Sequence, residues 1–157
     1  MKSRFLPAVI ATLTLIGCRE TVLGPPSGLP ESSAGVPQQV VVGGVPVALE
    51  TSLWRDFMPI APPDGQALTA LLTVRSQNGT PLPDGLQVTA AGVYYLGKRW
   101  TSEPESERGY DPTAIVYLAR GGPRWGPGGT ADVIVLLDFN GAKALLRAAN
   151  QPITRTD

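Results

Sequence analysis

A chain of 157 residues with no histidine and one cysteine has few ways to do chemistry. The missing imidazole removes the side chain that most often works as a general base near neutral pH. It also removes every Ser-His-Asp and Cys-His arrangement. With Cys18 alone, zinc, copper and iron–sulfur sites lose their usual ligands. No Gly-x-x-x-x-Gly-Lys-Ser/Thr loop and no Gly-x-Ser-x-Gly turn is present. Gly121-Gly122 and the glycines at 126, 128 and 129 follow an apolar run, but Pro123 and Pro127 intrude and no helix follows, so a dinucleotide loop is excluded.

Carboxylates are what remains. Glu103, Glu105 and Glu107 alternate, with Asp111 close behind. In an extended loop this alternation puts three like charges on one side, where oxygen ligands suit calcium. The competing reading is a solvated acidic loop, partly neutralised by Arg108. A glycosidase needs two carboxyls at a fixed separation in a cleft, which spacing along the chain does not reveal. The expectation is a protein that is not an enzyme and holds no metal and no cofactor.

Aromatic residues point instead to binding. Trp54, Trp100 and Trp125 each adjoin an arginine, Arg55, Arg99 and Arg124, and each pair falls in a loop or at a strand end. Trp and Arg are enriched at binding hot spots. In the alternative reading each Trp plugs the end of the core and its arginine covers it. Tyr94 and Tyr95 are adjacent, so a strand would send them to opposite faces.

The cysteine has its own context. Lys2 and Arg4 precede an apolar run over residues 5–16, which ends in Leu15-Ile16-Gly17-Cys18. A basic start, an apolar stretch of this length and small residues at the cut describe a secretory signal peptide. The run is shorter than the roughly 20 residues needed to span a bilayer. Leu15-Ile16-Gly17-Cys18 resembles the lipobox of bacterial lipoproteins, in which the cysteine is acylated and the precursor is cut just before it. The resemblance covers the first 18 residues. It implies a lipid on Cys18 and attachment to the cell envelope, more than one acyl chain making that attachment durable. Arg19 is not the aspartate tied to inner-membrane retention in enteric bacteria, so the resemblance favours the outer membrane. The rest of the chain is similar to small bacterial lipoproteins in general, a likeness that implies no activity and no site.

Removal of 17 residues leaves 140, enough for one domain with a core. The leader takes Lys2 and Arg4 with it, leaving 11 basic and 13 acidic residues. A net charge of about −2 exerts no long-range pull on nucleic acid, which is not expected as a partner. Residues 18–38, rich in Gly, Pro and Ser, read as the acylated cysteine and a disordered tether.

The body is expected over residues 39–157. Short strands flank Gly43-Gly44. Leu68, Ala70, Leu72 and Val74 share one face of a strand, with Thr69, Thr73 and Arg75 on the other. Residues 93–101 form a hairpin through Gly97-Lys98, residues 102–111 a mobile loop, and residues 121–129 an irregular loop. Asn140-Gly141 is the preferred pair for a two-residue type I′ turn. It would set Asp138 opposite Lys143, Leu136 opposite Leu145 and Val133 opposite Ala148. A helix over 142–149 is the rival, since Ala, Lys, Leu and Arg favour it.

About seven short strands punctuated by Gly/Pro turns predict an all-β body, an antiparallel sandwich that is immunoglobulin-like by analogy of fold. The function expected is a non-catalytic binding or accessory module, anchored through Cys18, that meets an envelope protein, a peptide or a glycan. The alternatives are a structural subunit of an envelope assembly and a carboxylate-dependent hydrolase.

Overall fold

The computed structural model describes residues 28–157. The expected signal peptide over 1–17, Cys18 and the first part of the expected tether lie outside the described residues. All regular elements described are strands: β1 (Gln39–Val42), β2 (Val45–Asp56), β3 (Leu68–Ser76), β4 (Gln87–Tyr95), β5 (Lys98–Ser102), β6 (Glu105–Glu107), β7 (Ala114–Gly122), β8 (Thr130–Phe139) and β9 (Ala142–Thr156).

The strands form one mixed, curled sheet in the order β5-β4-β8-β9-β2-β3-β7-β6, with β1 paired to β2 off this path. The curl brings the two flanks together. Trp100 of β5 lies so close to Gly122 of β7 that a Cβ there would stand 2.8 Å from its ring. The all-β class therefore holds, but the count is nine strands where about seven were expected, and the pairing is not purely antiparallel. The cause is the length of β9. Its first part pairs with β8, then Asn150 takes a φ of 54° and Ile153–Thr156 run on parallel to Leu53–Asp56 of β2.

Three tight hairpins set the register. Gly43-Gly44, Leu96-Gly97 and Asn140-Gly141 all have both central φ angles positive, the requirement of a type I′ turn. At Asn140-Gly141 the expected register is observed: Asp138 faces Lys143, Leu136 faces Leu145 and Val133 faces Ala148. Residues 142–149 are strand, not helix. The β4–β5 turn is one residue earlier than expected, at Leu96-Gly97, with Tyr95 opposite Lys98. Within the acidic stretch, Glu105–Glu107 form β6, an edge strand laid along β7.

Alternation builds the core. Leu68, Ala70, Leu72 and Val74 of β3 are buried with Val47, Leu49 and Leu53 of β2, Val133, Val135 and Leu137 of β8, and Leu146 and Ile153 of β9. β8 departs from simple alternation, because Ile134 (0% exposed) and Leu136 face away from that core and are buried all the same.

Residues 28–38 account for part of this cover. They were expected to be tether, yet from Leu29 onward they lie along the outer side of β4, β8 and β9 as a strap. Leu29 packs over Gly92, 3.3 Å from where a Cβ would be. Val36 is buried. The Pro37 carbonyl accepts the Arg147 N–H at 2.8 Å, after which the chain enters β1.

Candidate functional site

The strap is held by side chains that the sheet sends to its outer face. Gly92, Tyr94, Asp132, Ile134 and Arg147 lie on one side of β4, β8 and β9, because residues two apart on a strand share a face. The Tyr94 hydroxyl donates to the Pro30 carbonyl at 2.6 Å, and the Arg99 guanidinium donates to the same oxygen at 2.8 Å. Arg99 also lies 3.1 Å from the Glu31 carboxylate. Arg147 donates to the Ser33 carbonyl at 3.0 Å and stands 3.6 Å from Asp132. Partial burial pushes the Tyr94 hydroxyl up from the ordinary tyrosine range, against the opposing pull of Arg99.

Between the strap and the β4–β5 hairpin a groove of about 410 Å³ opens. Its walls are Glu31, Ser32 and Ser33 of the strap, Tyr94, Leu96 and Lys98 of the hairpin, and Thr130 and Asp132 of β8. This size falls within the range of small-ligand sites. Two carboxylates, one ammonium and the aliphatic hydroxyls of Ser32, Ser33 and Thr130 share the lining with a tyrosine and a leucine.

Leu96 is strained where it stands and gains little from burial. Its φ of 48° puts a bulky side chain in the left-handed region, and 81% of its surface is exposed. Asn would suit the turn better, as it does at Asn140. Backbone strain kept at a groove wall is a pointer to function.

The Trp/Arg pairs take other positions. Arg55 is buried, at 4% exposure. Its guanidinium donates to the carbonyls of Gln66 (2.9 Å), Gly126 (2.9 Å), Arg124 (3.3 Å) and Asp64. It clamps the 57–67 and 123–129 loops together, and its charge is met by carbonyl lone pairs. Arg124 pairs with Asp64 at 2.5 Å. Trp125 stacks on Tyr95, with ring centroids 5.6 Å apart, and packs against the core, as does Trp100. Trp54 is half-buried on the other face of β2, opposite Thr69 and Thr154. The structure thus brings Arg55 and Arg124 to one loop junction and sends Arg99 to the strap. It gathers no single Trp/Arg surface.

The acidic residues do not converge either. Glu105 stands 3.9 Å from Arg120, while Asp111 takes hydrogen bonds from Thr113 and pairs with Arg75 at 3.0 Å. Thr113 first, then Arg75, hold the Asp111 carboxyl below the usual range. Among the described residues no group of three or more His, Cys, Asp or Glu is placed to hold a metal ion.

Tyr94, Lys98, Glu31 and Asp132 were not singled out as a site from sequence. The signal that could have found them is the unbroken apolar run over residues 133–137, which implies cover on both faces of one strand. No family model, no curated protein and no solved structure matches this chain.

Proposed function

We propose that the protein is a lipid-anchored, non-catalytic binding module of the bacterial cell envelope, attached through Cys18, with the strap groove as its binding site. In this reading the body serves as an immunoglobulin-like scaffold, with strands holding loops and a groove in fixed relation. The observation that carries it is the docking of residues 29–37 beside the groove. Ten residues, 19–28, separate Cys18 from Leu29. Fully extended they reach about 40 Å, so an acylated Cys18 would keep the groove within that distance of the lipid surface. The groove is open, chemically mixed and walled by a strained leucine, features of a site that receives something. Glu31 and Asp132 both line it, but each already lies against a guanidinium, which favours binding over hydrolysis.

Fractionation of the native envelope tests this placement. The wild-type protein should sediment with the outer membrane, and Cys18→Ser, which can be neither acylated nor cut at the lipobox, should leave that fraction. Co-sedimentation of both, or a soluble wild type, overturns it.

A further inference from the structure

We infer that the strap groove binds a neutral, hydroxyl-rich ligand, a saccharide of two or three rings. The inference deepens the binding-site reading above and does not depend on the lipid. The argument begins with what the lining leaves unspent. The Tyr94 hydroxyl gives its hydrogen to Pro30, so only its lone pairs face outward. One Glu31 oxygen meets Arg99, and the other has no donor among the described residues. One Asp132 oxygen accepts the Asn150 N–H, and the other stands 3.6 Å from Arg147. The Ser32 hydroxyl accepts the Ala34 N–H and keeps its own hydrogen. Lys98 has no carboxylate within 4.0 Å among the described residues.

The groove therefore offers acceptors on several sides, a few rotatable hydroxyls and one ammonium. A phosphate or carboxylate ligand would meet Glu31 and Asp132. A bare cation would meet Lys98. Sugar hydroxyls both donate and accept, so they can satisfy carboxylates, hydroxyls and an ammonium at once. Tyr94 and Leu96 supply apolar surface for the C–H face of a ring. An extended peptide draws its affinity from pairing with a sheet edge, and the groove wall is side chains and strap.

The test is calorimetric titration of the full-length protein in detergent with chitotriose, maltotriose and cellotriose. At least one should bind saturably below about 10 mM. Lys98→Ala and Glu31→Gln alter exposed side chains, and circular dichroism would confirm that the fold is kept. Each should weaken binding roughly fivefold, the worth of one hydrogen bond. Absence of binding for all three sugars overturns the inference, as does binding that neither substitution alters. Chloride or phosphate competing at millimolar concentration would do the same, since it would mark an anion site. Sugar binding by protein lacking the lipid would uphold the groove while the envelope placement fails, so the two failures are distinguishable.

Discussion

Tyr94 donates its hydroxyl hydrogen to the carbonyl of Pro30, 64 positions earlier in the chain, at 2.6 Å. This bond joins a segment that composition marks as linker to the outer face of the sheet, and one wall of the groove stands on it. Tyr94→Phe removes the donor alone. The expected loss is about 1 kcal/mol, or about 3–5 °C in Tm. Hydrogen exchange should show the Val36 amide, and the Arg147 amide that donates to the Pro37 carbonyl, losing protection while β3 keeps its own. Unchanged exchange in the strap would mean that Arg99, Arg147 and Val36 suffice to hold it.

The same hydroxyl makes a pH prediction. Burial raises its folded pKa above the unfolded value near 10. A raised acid favours the folded state while protonated, so its contribution is complete below about pH 10 and is lost as pH rises through the folded pKa. Wild-type stability should fall more steeply above pH 10 than that of Tyr94→Phe, as read by chemical denaturation at a series of pH values. Parallel curves would contradict this. At the acid end, Asp111 has a lowered folded pKa, so its contribution is present above the usual carboxylate range and is lost as pH falls below it. Asp111→Asn should flatten the acid limb of the stability curve.

Arg55 should behave as a structural residue. Arg55→Ala leaves four carbonyls at the loop junction without their donor and should cost about 3–5 kcal/mol. Arg55→Lys should recover little, because an ammonium cannot reproduce the planar fork. Denaturant midpoints measure both. A near-wild-type Arg55→Ala would show that the junction holds without the clamp.

Leu96 should show a trade between stability and binding. Leu96→Asn relieves the left-handed strain and gives up almost no buried surface, so stability should rise by about 1 kcal/mol. Ligand affinity should fall with the loss of a groove wall. A variant that gains stability and binds as before would detach Leu96 from the site.

Local patterns made much of the fold legible. Asn140-Gly141 specified its hairpin because two residues fix both φ signs and hence the register. The period of two in β3 specified its buried face. The parallel joining of β9 to β2 could not be read, since it pairs residues about 100 positions apart and leaves no local mark. Arg55 was assigned to binding because a Trp-Arg pair resembles a hot spot. Its parity with Val47, Leu49 and Leu53 places it on the core face, and the clamp follows from that. The strap was hidden by composition. Gly, Pro and Ser break helices and strands, but they do not prevent a segment from docking when another surface supplies donors for its carbonyls.

Mass spectrometry of the N-terminal peptide from protein made in its native host tests the central claim most directly. The account predicts a chain that begins at Cys18 and carries acyl groups on that residue. A chain that retains residues 1–17, with an unmodified thiol at Cys18, would contradict it.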